Sequence, residues 1–192
     1  EKTMWKYGNK TIRENRVWTD DNGVQHPKNW MVWSADEKAD RGLVEITVQP
    51  KPDEKFYWVT GPNKDGTWTS TERAIEDVNE VDSDGTALLD KNGNQIVTKG
   101  LKSQYISQTK TTQGSLLFQT DWAYIRKADN GTDIPSDIQT YRNAVRSAAK
   151  TIETKIINCS TMDEFQALFV APVDSNGTPT GNAPIYDWPE SI

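Results

Sequence analysis

Histidine and cysteine each occur once, as His26 and Cys159. A lone cysteine excludes an internal disulfide framework and a multi-cysteine zinc site. A lone histidine excludes paired-histidine metal motifs and leaves a Ser-His or Cys-His nucleophile without support. No apolar run approaches the ~20 residues needed to cross a bilayer as a helix, so membrane insertion is not expected. The amino-terminal EKTMWKYGNK has no apolar signal core, and a soluble product of a reducing cytoplasm is expected. There is no Lys/Arg block, the electrostatic footprint of phosphate-backbone binding, so nucleic acid is not an expected partner. Walker, G-x-G-x-x-G and G-x-S-x-G motifs are absent, and no pair of carboxylates is placed by a recognisable pattern. No catalytic, cofactor-binding or metal-ligating residue can therefore be named, and a non-enzymatic domain is expected. Apolar residues are scarce too, at 34% of 192 with a mean hydropathy of -0.78.

Eight tryptophans partly compensate, because each ring removes ~150–250 Å² from water when buried. Six of them (Trp5, Trp18, Trp30, Trp33, Trp58 and Trp68) precede residue 70. Buried, they make the core of a small β-rich module; exposed, they would stack on sugar rings; partly buried, they would suit a subunit interface. The core reading is favoured. His26 is expected to make a local hydrogen bond and Cys159 to be a small buried residue.

Short strands are expected over residues 5–33, with Asp20-Asp21-Asn22-Gly23 as a hairpin turn of type I′. Pro27 demotes the third of these strands, Val24 to Trp33, to an edge or an irregular extension. Ser34 to Glu37 is a capping box, and Gly42 suits the helix exit. Leu43 to Val48 alternates at period two, and residues 56–61 form a second apolar strand. The run TWTSTERAIEDV reads as a strand entering a helix capped by Ser70 or Thr71.

Charge is uneven. Residues 1–75 sum to zero, 76–100 to -4, 101–170 to +1 and 171–192 to -3. The acidic stretch reads as a linker or surface hairpin; its DSDG and DKNGN runs lack the six spaced ligands of an EF-hand loop. From Leu101 the period becomes helical, through Tyr105, Thr109, Thr112 and Leu116. A short helix at Asp121–Arg126 ends at Asn130-Gly131. Ser136 to Gln139 is read as another capping box, and Ile138, Tyr141, Val145, Ala148, Ile152 and Ile156 form the stripe of a long amphipathic helix. Arg142, Arg146 and Lys150 flank that stripe, either as its solvated shoulder or as a docking edge for an acidic partner or for the acidic 76–100 segment. A third cap lies at Ser160 to Asp163. The tail after Val170 is expected to dock through Ile185, Tyr186 and Trp188.

Two stretches carry a family resemblance. Gly23-Val24-Gln25-His26-Pro27-Lys28-Asn29-Trp30, with Arg41-Gly42-Leu43 after a short acidic helix, resembles the opening of small proteins encoded among bacteriophage tail genes. Leu116-Leu117, Thr120-Asp121-Trp122, Ile134-Pro135 and Tyr141-Arg142-Asn143-Ala144-Val145-Arg146, with a terminal Trp188-Pro189, resemble the carboxy-terminal part of tail fibre assembly proteins and tail assembly chaperones. The resemblance implies a virion tail protein, assembled in the host cytoplasm, whose partners are other tail or tail fibre proteins or copies of itself. A structural or accessory role is expected first, a transient fibre chaperone second and a host-glycan binder third.

The resulting expectation is an α+β chain. Residues 1–75 form a Trp-rich β module, 76–100 an acidic linker or hairpin, 101–170 a helical module and 171–192 an extended tail. Trp30, Trp33, Trp122, Tyr141, Arg142, Arg146 and Trp188 are the expected fold-determining or interaction residues. Of these, Trp122 is expected as a core ring, and Arg142 or Arg146 as the partner of Asp121.

Overall fold

A computed structural model describes residues 2–192, and the fold is α+β with its sheets in the amino-terminal part. The chain divides into two compact units, Glu1–Glu72 and Arg73–Ile192. In the first, β1 (Thr3–Tyr7) lies between β2 (Lys10–Ile12) and β5 (Leu43–Thr47), antiparallel to both. Gly8, at φ +54°, opens the two-residue turn between β1 and β2. Strands β3 (Trp18–Thr19) and β4 (Gln25–His26) pair across the Asp20 turn, and β4 stops at Pro27 because proline has no amide to donate. Helix α1 (Ala35–Asp40) carries the expected capping box of Ser34 and Glu37, and Gly42 leaves it at φ +71°.

The core of this unit is made of tryptophan. Trp5, Trp18 and Trp30 are buried with Ile12 and Leu43, and Tyr7, Met31 and Trp33 pack on them. Trp30 is fully buried, meets Trp5 edge-on at 5.7 Å and donates its indole N–H to Arg16 O at 3.0 Å. Trp18 stacks on His26 at 4.1 Å, and His26 Nε2 lies 3.2 Å from Asp20 Oδ2. Three of the six front rings are thereby removed from any sugar-stacking face.

Strand β6 (Tyr57–Thr60) pairs with β7 (Thr69–Glu72). The helix expected to follow β7 from a Ser70 or Thr71 cap does not form, because those residues are committed to the ladder with β6. The next residues serve another helix instead. Ala74 O and Ile75 O accept from Leu101 N (2.9 Å) and Lys102 N (3.0 Å), the first unsatisfied amides of α2 (Leu101–Phe118).

Residues 76–100 form an ordered arm of the second unit. Strand β8 (Val78–Asn79) pairs antiparallel with β9 (Val97–Thr98), and bridges Val81–Ala87 and Leu89–Gln95 close two turns between them. Three segments meet in a ring: Leu88 N donates to Glu80 O, Ile96 N to Leu88 O and Glu80 N to Ile96 O, at 2.8–2.9 Å. Gln95 Nε2 reaches the same three carbonyls.

One turn recurs along the chain. Asp20, Asp82, Asp90 and Asp174 each begin an Asp-x-Asx-Gly run whose glycine has φ near +81°. The carboxylate of each accepts the amides two and four residues on, at 2.8–3.0 Å. At Asp20 this replaces the expected type I′ turn: Gly23 alone takes positive φ there, since the carboxylate holds Asn22 N and Val24 N around itself. The repeat is an Asx-turn device. Among the described residues no group of three or more potential ligands is assembled.

Helix α2 is rich in Ser and Thr. It satisfies Thr109, Thr111 and Ser115 by back-bonding their hydroxyls to carbonyls four residues earlier. It packs along α4 (Ser136–Asn158), whose buried residues are Ile138, Tyr141, Arg142, Val145, Ala149, Ile152 and Ile156. Ala149, rather than Ala148, completes that stripe. Ser136 is not a cap: it is already helical, Pro135 holds the cap position, and Asp137 Oδ1 accepts Ile138 N. Helix α3 (Asp121–Asn130) ends in Gly131 at φ +77° as expected. Helix α5 (Met162–Ala167) takes its cap from Thr161 with Glu164. Its Phe165 is fully buried and meets Tyr105 and Phe169 edge-on or tilted. The tail returns to this cluster, with Ile185 buried and its amide donating to Leu168 O at 3.0 Å.

Two glycines of α2 make a contrast. A Cβ on Gly100, the cap residue, would meet Glu76 O at 2.2 Å, whereas one on Gly114 would meet nothing within 4 Å. Gly114→Ala should raise stability by roughly 0.5–1 kcal/mol, and Gly100→Ala should lower it; paired thermal melts measure both. Asp77 supplies a second test. It accepts Gly100 N at 2.9 Å and Lys99 Nζ at 2.7 Å. Lys99 foremost, then Ser103 and Gly100, lower its carboxyl from the ordinary 3.8 to about 2. A lowered folded-state value stabilises above the ordinary one and is lost as pH falls through the folded one. Wild-type stability should therefore drop as pH falls from 3.8 toward about 2, and Asp77→Asn should flatten that part of the profile in pH-dependent urea unfolding.

Candidate interaction surface

Helix α2 ends at Phe118 and α3 begins at Asp121, so the chain turns a corner over two residues, where Leu117 O accepts from Thr120 N at 3.1 Å and Thr120 Oγ1 at 3.0 Å. Arg142, one of the few buried charged side chains, fills that corner from α4. Its Nη1 donates to Leu117 O (2.7 Å), Thr120 Oγ1 (2.8 Å) and Asp121 Oδ1 (2.7 Å). Its guanidinium lies 4.5 Å from the Tyr124 ring centroid. These three acceptors and the aromatic face offset the burial of the charge, although the buried Nε has no hydrogen-bond partner. The cation also sits at the negative end of α2, while Asp121 sits at the positive end of α3.

Asp121 thus pairs with Arg142, the first of the two expected partners. Arg146 is exposed one turn further along α4. Tyr141 is buried in the stripe, as its periodicity requires. Trp30 and Trp33 belong to the first unit, where Trp33 is half-buried with the Arg41 guanidinium 4.5 Å from its ring. Trp188 is half-buried beside α2, in a small cleft with Tyr105, Thr109 and Ile185.

Trp122 is a correction. It is not a core ring but 50% exposed, with Arg126 4.9 Å from its centroid. The Arg142 lock fixes the rotation of α3 so that Ala123 faces inward, fully buried, and its neighbour Trp122 faces out. Phe118 and Ile125 are exposed with it, at 76% and 67%. Three large apolar groups within eight residues make the helical corner a surface built for contact. The sequence marks Trp122 and Arg142 but not this exposure. Its only local signal is α3 itself, too short to bury two faces.

Cys159 is buried, donates to Lys155 O at 3.3 Å, and has its thiol pushed up by burial. Among the described residues no helix is long and apolar enough to cross a membrane. Comparison with family models, curated proteins and solved structures gave no match.

Arg142→Ala should destabilise by about 1–3 kcal/mol through loss of its charge-assisted hydrogen bonds, with the share from half-exposed Asp121 reduced by solvent. Arg146→Ala should change stability by less than about 0.5 kcal/mol. Denaturant unfolding of both, with Asp121→Ala and the Arg142/Asp121 double variant, measures the coupling. Additive losses would remove the lock.

Proposed function

We propose that this chain is a structural or accessory protein of a bacteriophage tail or its fibres, acting through protein–protein contacts rather than catalysis. The observation that carries the reading is the corner itself. The Asp121 of the T-D-W run and the Arg142 of the Y-R-x-A-x-R run, the stretches that resemble tail fibre assembly proteins, meet at 2.7 Å. Their meeting turns Trp122 outward beside Phe118 and Ile125. A pattern shared across tail-associated proteins then has a physical role: it holds a contact surface in a defined orientation. In this reading the protein is made in the host cytoplasm, and its partners are tail or fibre proteins.

The G-x-Q-x-P-x-N-W run supports the same reading more weakly. Gln25 and His26 form β4, Pro27 O accepts Trp30 N, and the run delivers Trp30 into the core. It is a folding device of the first unit.

Quantitative mass spectrometry of purified particles of the phage that encodes the chain tests the proposal. A structural protein is expected at fixed copy number relative to the tail proteins. Absence from particles, with recovery alongside the fibre protein from infected-cell extracts, would assign the transient chaperone role. Absence from both would end the tail reading.

A further inference from the structure

The tail returns to its own unit as a strap. Residues 172–182 are exposed throughout and bond among themselves, with Asp174 N donating to Thr178 O and Thr180 N to Pro172 O at 2.8–2.9 Å. Residues 183–188 then lie in a groove between α2 and α4. They are held there by burial of Ala183 and Ile185, by the Ile185 amide on Leu168 O at 3.0 Å, and by Tyr186 meeting Phe169 edge-on at 6.1 Å. Yet the groove is not filled. One cleft runs between Ile185, Trp188 and the α2 residues Tyr105 and Thr112. Another runs between Pro184, Asp187 and the α4 residues Ala144 and Ala148. Tyr186 is 51% exposed, and Trp188 is half-buried.

We propose that residues 183–188 are a displaceable strap, which closes the groove in the free chain and gives way to an extended segment of a partner with the same aliphatic and aromatic anchors. The strap itself shows what the groove accepts. It takes an aliphatic side chain at the place of Ile185, an aromatic ring three residues on, and a backbone amide to Leu168 O. Three features let the strap exchange. Its tether is exposed and bonded to itself, so release of the strap leaves the tether intact. Its buried side chains are few, the mark of a segment that opens locally rather than with the whole fold. The clefts on both flanks forfeit dispersion contacts that a better-fitting segment would recover. The tether holds the strap at an effective concentration on the order of millimolar. A free segment at micromolar concentration is therefore excluded. Only a partner that packs better, or that is held alongside by other contacts, displaces the strap.

The strap is independent of the tail assignment, since each readout concerns the purified chain alone. Hydrogen exchange of the wild type is the first test. The Ile185 amide should exchange at least about a hundredfold faster than that of Val145 in α4, through local opening. Equal protection would make the strap part of the global fold and overturn the proposal. The second test pairs a fluorescent peptide of residues 181–192 with the whole chain carrying Ile185→Ser and Trp188→Ser, which vacates the groove. Fluorescence anisotropy should show binding to this variant at least about tenfold tighter than to wild type, whose own strap competes. A peptide with serine at the same two positions should not bind. Failure of the 181–192 peptide to bind the variant, equal affinity for wild type, or equal binding by the serine peptide overturns the proposal. So does loss of the cooperative thermal melt in the variant, which would make the strap core rather than lid.

Discussion

The second unit depends on how one guanidinium is satisfied. Burying Arg142 is unfavourable unless its donors find acceptors, and its Nη1 finds three: the Leu117 carbonyl of α2, the Thr120 hydroxyl and the Asp121 carboxylate. With Asp121 held by Arg142 and Ala123 turned inward, Trp122 faces out.

Economy of apolar mass explains the rest of the architecture. The first unit concentrates its burial in tryptophans, so that Trp5, Trp18 and Trp30 supply most of a core with few aliphatic members. The arm takes the opposite route. It has almost no core, and holds its shape by pairing backbone with backbone and by placing Gln95 against the carbonyls of Glu80, Leu88 and Ile96. The Asp-x-Asx-Gly turns serve the same end, because each carboxylate satisfies two amides locally. Acidic composition usually marks a mobile linker; here two of the six carboxylates, Asp82 and Asp90, hold turn amides. What the arm does not bury it presents, and that gives it an apolar edge of negative sign.

Much of the fold was legible in residues close together along the chain. The capping box of Ser34 and Glu37, the exits at Gly42 and Gly131, the stripe from Ile138 to Ile156 and the Asn-Gly hairpins all rest on contacts within about four residues, where composition and period carry the information. One misreading came from a distant partner and two from competition between near neighbours. Ser70 and Thr71 have the chemistry of caps, but β6 claims their backbone. Ser136 looks like a cap, but Pro135 already occupies that position. Asp20 to Gly23 reads as a type I′ turn until the carboxylate of Asp20 is seen to wrap two amides. The turn recurs at Asp82, Asp90 and Asp174, a repeat easily lost among ordinary polar residues.

For the corner, the sequence alone named Asp121, Trp122, Tyr141 and Arg142 and allowed either of two arginines as the partner of Asp121. Helical period determined that Arg142 and Arg146 share a row, but a row has no preference for one member. Tertiary structure made the choice, because only the crossing of α2 and α4 places Leu117 O and Thr120 within reach of residue 142 and leaves residue 146 in water. It also decided that Ala123, not Trp122, turns inward. Periodicity is set by bonds four residues apart and can be read along the chain. The Arg142 contacts span twenty-one to twenty-five residues, so they exist only once the helices have packed.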